Sequence, residues 1–197
     1  MRTFIAIDLP QAVKQAIGGL QSRLRSSLPL EAGRSADIRW TRPEGIHLTL
    51  KFLGEITEQQ AALVAASLSS LPQFESFRVE VKGFGFFPNN HRARVLWVGV
   101  EAPCGLAALA AEVAAAMERL GFAKEDRAFT PHLTLARFVT PKPRPAIEME
   151  LQKIQGAALG AFEVSAYFLF ESRLSAGAPS VYRKIAGFGR AEPLPAT

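Results

Sequence analysis

A single cysteine, Cys104, occurs in 197 residues. That excludes an intrachain disulfide, a CxxC redox pair and a cysteine-based zinc framework, and it makes a reducing cytoplasm the expected home. Histidine is nearly as scarce: there are three, and none begins HxD, HxH or HExxH, so the ligand sets of common zinc hydrolases are missing. No apolar run is long enough to span a bilayer. The N-terminal Phe4-Ile5-Ala6-Ile7 stretch is broken by Asp8 and Pro10, too early for a signal-peptide core, so neither secretion nor a membrane partner is expected. The formal charge of +5 and a pI near 9.7 favour anionic partners. Yet no basic run, RRM-like aromatic motif or GXXG loop marks a nucleic-acid module. A long exposed apolar repeat is also missing, so a monomer is expected.

What the chain does have suits a packed domain. Hydrophobic residues make up 48% against 21% charged, with fourteen phenylalanines, a globular rather than a disordered composition. A chain of this length buries about 70% of its unfolded surface in one ordinary domain. Within it, His47-Leu48-Thr49-Leu50 recurs as His132-Leu133-Thr134-Leu135. Background composition supplies Leu-Thr-Leu after a given histidine about once in a thousand, so two identical tetrapeptides on two of three histidines point to a working pair.

Strand and helix patterns alternate around these motifs. Phe4 to Leu9 reads as a strand, and Pro10 opens a helix whose apolar residues Val13, Ile17, Leu20 and Leu24 fall on one face. Ile38 to Thr41 and His47 to Leu53 read as extended. Thr57 and Gln60 form a capping box for a helix through Leu71, closed by Pro72. Phe77 to Val81 is a half-buried strand, and Gly83, Gly85, Pro88 and Asn89-Asn90 mark a loop. The order then restarts: a strand from Val95 to Val100, an alanine-rich helix from Pro103 to about Leu120 with Gly121 as its stop, and the second HLTL strand. A helix around Ile147 to Ile154, a strand from Phe162 to Phe170 and another from Val181 to Ile185 follow. Laying Phe4 to Pro10 over Leu96 to Pro103 gives halves of about 2–90 and 94–186. The expected fold is one α+β domain over 1–197, bilobal and duplicated, with two antiparallel-rich sheets facing a central groove and helices on the outer faces.

In a strand, His47 and Thr49 share one face while Leu48 and Leu50 share the other. Two such strands line a groove with two imidazoles and two hydroxyls and send leucines into the core. An imidazole pair supplies an acid and a base near neutral pH, and threonine hydroxyls bind phosphate oxygens. In-line displacement at phosphorus needs the attacking and leaving oxygens on opposite sides, which two lobes provide. The inventory suits phosphodiester chemistry without a metal. Arg137 is the candidate guanidinium clamp for phosphate. Counted from His132, an ideal strand turns it to the opposite face, so a bulge or strand end is required. Phe4 is a candidate to stack on a base.

The H-x-T-x motifs come with Arg2-Thr3-Phe4-Ile5-Ala6-Ile7, HLTLKFLGE over 47–55, Arg94-Val95-Leu96-Trp97, PHLTLAR over 131–137, and a late Ser172-Arg173-Leu174 with Tyr182. Together they resemble the two-histidine phosphoesterase superfamily, and within it the bacterial and archaeal RNA 2′,3′-cyclic phosphodiesterases, also called 2′-5′ RNA ligases. The resemblance runs from about residue 2 to 186. It implies a bilobal α+β fold, RNA or oligonucleotide ends as substrate, hydrolysis of a 2′,3′-cyclic phosphate to a 2′-phosphate, and neither metal nor nucleotide cofactor. It would make His47 the proton donor to the departing 3′ oxygen and His132 the proton acceptor from water. Thr49 and Thr134 would hold the nonbridging oxygens, with Tyr182 and Arg173 in the matching late segment near substrate. Reversible 2′-5′ ligation, in which a 5′-hydroxyl consumes the cyclic phosphate, is implied as well. The family commonly has Gly-Pro where this chain has Ala178-Pro179. Two alternatives stay open: a relative acting on a small cyclic nucleotide or 2′-5′ oligonucleotide, and a non-catalytic RNA-binding module.

Overall fold

The structure, a computed structural model, describes residues 1–28, 37–102, 104–173 and 181–190; Pro103, Leu174 and Ala178-Pro179 lie outside them. The described strands are β1 (Arg2–Asp8), β2 (Ile38–Trp40), β3 (His47–Glu55), β4 (Phe77–Phe87), β5 (Val95–Glu101), β6 (His132–Phe138), β7 (Gly160–Val164), β8 (Ala166–Arg173) and β9 (Val181–Gly189). The helices are α1 (Gln11–Ser27), α2 (Glu58–Ser69), α3 (Cys104–Arg119) and α4 (Pro145–Gln152).

Two antiparallel sheets form, in the orders β3-β1-β8-β9 and β2-β6-β5-β4-β7, so the fold is α+β with two facing sheets. In each, the HLTL strand lies beside the strand that opens its half: β3 pairs with β1, and β6 with β5. The sheets do not follow the halves of the chain, however. The first half sends β4 to pair with β5, and the second sends β8 to pair with β1. Neither sheet is complete without both halves. The helices cross over in the same way, α1 packing on β7 and α4, and α3 on β3 and α2.

Apolar periodicity accounts for these elements. Val13, Ile17, Leu20 and Leu24 of α1 are buried, as are Leu48, Leu50, Leu133 and Leu135 of the two motif strands. A fully buried leucine contributes about 1.5–3 kcal/mol, so the four motif leucines alone anchor β3 and β6 firmly. The capping box of α2 is present: Gln60 N–H donates to Thr57 Oγ1 at 3.1 Å, and Thr57 N–H donates to Gln60 Oε1 at 2.9 Å.

Two expectations are corrected. Gly83 and Gly85 belong to β4 rather than to a loop. The pairing with β5 shifts between Val81 and Phe84, where Gly83 takes φ +74, and a Cβ on Gly85 would come within 2.3 Å of the Trp97 ring. Glycine serves here as a bulge and a close approach, not a turn. Phe162 to Phe170 is two strands in different sheets, broken at Ser165. Buried positions run Phe162, Val164, then Tyr167, Leu169, so the period-two pattern slips by one residue where the chain changes sheets.

Candidate active site

β3 and β6 approach each other across the seam between the sheets. His47, Thr49, His132 and Thr134 line one groove of about 660 Å³, together with Arg2, Phe52, Arg137, Ser172 and Tyr182. Two arginines and no carboxylate stand among its described lining residues, which makes it electropositive.

Both motif strands bulge at the same place. In β6 the partner of Trp97 is Thr134 and that of Leu96 is Ala136, so Leu135 is passed over; in β3 the partner of Ala6 is Thr49 and that of Ile5 is Lys51, passing over Leu50. Two consecutive residues are then buried, and the phase of the strand inverts. This is the bulge that Arg137 requires to reach the groove. Its counterpart at the fifth position after His47 is Phe52. The β6 bulge is held from behind: Thr41 N–H and Gln21 Nε2 both donate to Leu135 O, at 2.9 Å each, and Gln21 also donates to Thr41 O at 2.7 Å.

The imidazoles are oriented by one repeated device. His47 Nδ1 lies 2.9 Å from Gly45 O, and His132 Nδ1 lies 2.7 Å from Thr130 O. A carbonyl only accepts, so Nδ1 carries the proton in both rings and Nε2 is left to take or give one. Gly45 has its own reason to lack a side chain, since a Cβ there would meet the Tyr182 ring at 3.0 Å.

Their surroundings differ. His47 stacks on Phe4 with centroids 4.3 Å apart and meets the edge of Tyr182 at 5.1 Å. Burial pushes its imidazole down from 6.5 to about 4; Lys14 and Arg137 add to the shift, while the Gly45 hydrogen bond and the Asp8 carboxylate oppose it. Asp8, the register partner of His47, binds Lys14 at 2.8 Å and Lys184 at 2.7 Å. Burial raises its affinity for a proton, but the two ammonium groups outweigh that and keep it ionised. These residues line a second cavity of about 430 Å³ on the other side of His47. His132 meets Phe87 and Trp97 edge-on, at 4.9 and 6.4 Å.

Arg137 and Tyr182 both line the groove. Phe4 does not present a free face to a base: it is 3% exposed and packs on His47 and Phe170. The strand alternation that aims it at the groove also seats it beneath the imidazole. Arg173 turns to Glu171 at 2.9 Å and does not line the groove. Phe52, Gly45 and Gln21 escaped the sequence reading. The signal for Phe52 was its offset from His47, equal to that of Arg137 from His132.

The LigT-like phosphoesterase family matches the chain twice, over residues 7–97 and 98–179. The chain belongs to this family. The RNA 2′,3′-cyclic phosphodiesterase of Aeropyrum pernix is 36% identical over 168 residues, 85% of this chain and 93% of the relative. That of Thermotoga maritima is 38% identical over 138 residues, 70% of each chain. Among solved structures, TT0787 of Thermus thermophilus aligns with a TM-score of 0.75 and 30% identity over 96% of this chain and 97% of that one. Escherichia coli LigT complexed with 3′-AMP shares the fold at a TM-score of 0.73, with 24% identity over 97% and 98% of the two chains. Among the described residues no helix is long and apolar enough to cross a membrane, and no three histidine, cysteine or acidic side chains converge as a metal site.

Proposed function

We propose that this family member hydrolyses RNA 2′,3′-cyclic phosphate ends to 2′-phosphate ends without a metal, acting as a monomeric, bilobal unit in the cytoplasm. The observation that carries the reading is the convergence of both His-x-Thr pairs on one groove, with two arginines and no carboxylate among its described lining residues. The names of its relatives support the substrate class.

The cyclic phosphate sits between the two strands, its nonbridging oxygens accepting from Thr49 and Thr134 and its charge met by Arg137. His132 Nε2 takes a proton from the attacking water. The 3′ oxygen leaves on the far side of phosphorus and receives a proton from His47 Nε2, following the resemblance. A neutral His47 in the free protein becomes the acid when the substrate's anionic phosphate arrives beside it and favours the imidazolium. Its low intrinsic affinity for the proton then makes it a ready donor. With a 5′-hydroxyl in place of water, the same geometry supports 2′-5′ ligation.

An end-group assay on oligonucleotides ending in a 2′,3′-cyclic phosphate, run with EDTA, tests substrate, product and metal independence together. The expected product is a 2′-phosphate end formed at an unchanged rate. A 3′-phosphate product, or loss of turnover restored only by a divalent ion, overturns the mechanism. Binding without turnover would favour a non-catalytic RNA-binding module.

A further inference from the structure

We propose that the cavity behind His47 is a subsite for the phosphate 5′ to the reacting nucleotide, held by Lys14 and Lys184, so that the RNA strand leaves the groove past His47. The proposal rests on the reaction assigned above and adds the direction in which the substrate runs.

In-line displacement fixes that direction. The attacking water and the departing 3′ oxygen lie on opposite sides of phosphorus, and with His132 serving the water, the 3′ oxygen faces His47. The ribose that carries this oxygen lies on the His47 side, and its 5′ carbon takes the strand onward from there. The cavity of about 430 Å³ stands on that side. It shares Gly45, Ile46, His47 and Tyr182 with the groove, so a chain can pass from one to the other.

The groove face of the sheet continues into this cavity. Phe4, Ala6 and Asp8 fall at every second position of β1, as Tyr182 and Lys184 do on β9, so Asp8 and Lys184 extend the face on which Phe4 and Tyr182 stand. Lys14 reaches the same place from α1. Asp8 holds both ammonium groups, Lys14 at 2.8 Å and Lys184 at 2.7 Å, and Lys184 also lies 4.0 Å from the centre of the Phe168 ring. Two like charges from separate elements are thereby fixed side by side, with the Lys14 side chain only 13% exposed and that of Lys184 33%. Each ammonium has three donors and directs one at Asp8, so a second anion can be met without breaking the pair. Arg183 lines the same cavity, with its Nε on Glu171 at 3.1 Å. Three cations stand against two carboxylates, Asp8 and Glu44, among the described lining residues, a net positive charge that suits one phosphodiester.

Adenosine 2′,3′-cyclic phosphate with and without a 5′-phosphate isolates the contact, since the two compounds differ only in the group assigned to the cavity. The wild type should prefer the 5′-phosphorylated compound by about tenfold in kcat/KM, the low end for a charge-assisted hydrogen bond because both lysines already share a carboxylate. Lys14→Met and Lys184→Met should each lower that ratio toward one, and Lys184→Arg should keep it. The ratio cancels any change that a variant makes to His47 itself. Lys184 lies on an edge strand, so its variants carry the test if Lys14→Met does not fold. Lys153→Met removes the same charge just past α4 and should leave the ratio unchanged. No preference in the wild type, a preference that survives in either folded methionine variant at the cavity, or an equal loss in Lys153→Met overturns the subsite. If the wild type turns over neither compound, the reaction reading falls and calorimetry decides the subsite. Tighter binding of adenosine 2′,5′-bisphosphate than of adenosine 2′-phosphate, lost in Lys184→Met, upholds it; equal binding or a retained preference refutes it.

Discussion

β3 and β6 carry the same tetrapeptide, bulge at the same residue and fix their histidines through the same carbonyl two residues upstream, yet they surround those histidines differently. His47 is wedged among Phe4, Phe170 and Tyr182, and burial lowers its proton affinity. His132 has aromatic edges beside it instead, and its Nδ1 hydrogen bond lies at the surface. At the fifth position one strand offers an aromatic ring and the other a guanidinium. In the proposed reaction, duplicated backbone geometry supplies a symmetric clamp for a symmetric pair of phosphate oxygens. The side chains packed around it supply the asymmetry that the proposed acid and base require.

The sharpest break of that comparison is chemical. His47→Ala and His132→Ala should each lose about 10²- to 10⁴-fold in kcat, the range of one proton-transfer catalyst. A phosphodiester with a nitrophenolate leaving group needs little protonation, so it should restore most of the rate to His47→Ala and little to His132→Ala. The reverse pattern exchanges the acid and base roles, and equal rescue abolishes the distinction. Circular dichroism on both variants separates lost chemistry from a damaged strand.

Where the histidines should differ, the threonines should not. Thr49→Val and Thr134→Val each delete one donor to a nonbridging oxygen at nearly constant volume, and each should cost about 10²-fold in kcat, comparable to losing one oxyanion donor. A variant that keeps its activity while the other fails would show that one lobe alone holds the phosphate.

The pH dependence sharpens the contrast on the His47 side. With its imidazole near 4 in the free protein, His47 is neutral at pH 7, and only the protonated fraction can donate. If it is the acid, kcat/KM on a cyclic phosphate falls as pH rises through about 4, and this limb vanishes with the nitrophenolate substrate. If it were the base, activity would instead rise through the same region and the limb would persist. NMR of the His47 ring should show the value climbing when inorganic phosphate binds, because an adjacent anion favours the imidazolium.

Much of this was legible in the sequence because it depends on local periodicity. The HLTL repeat placed histidines and threonines on one face, and counting from His132 showed that Arg137 needed a bulge. The exchange of β4 and β8 between sheets was not legible, since pairing partners far apart in sequence leave no local trace; the slip in period at Ser165 was its one sign. Alternation put Phe4 on the groove face, but it could not tell how close the His47 ring would lie over it. Phe52 was passed over because a phenylalanine in a strand reads as core until the bulge inverts its phase.

The smallest expected effect isolates what holds the second bulge. Gln21 reaches from α1 to donate to Leu135 O and Thr41 O, whereas in the first lobe Lys51 leaves its own bulge to donate to Ala123 O at 2.7 Å. Gln21→Met keeps the volume of the side chain and leaves buried carbonyls short of a donor, a loss of about 1–3 kcal/mol in stability, read from the denaturant midpoint. If Gln21 acts on substrate only by aiming Arg137, KM should rise a few-fold in the wild-type background and not at all in Arg137→Ala, giving a coupling energy of about 0.5–3 kcal/mol in the double-mutant cycle. Lys51→Met sits on the other strand and should show no coupling to Arg137. Additive losses for Gln21→Met and Arg137→Ala would mean that the glutamine supports the fold alone. Coupling from Lys51 would mean that the two bulges move together rather than as separately held copies.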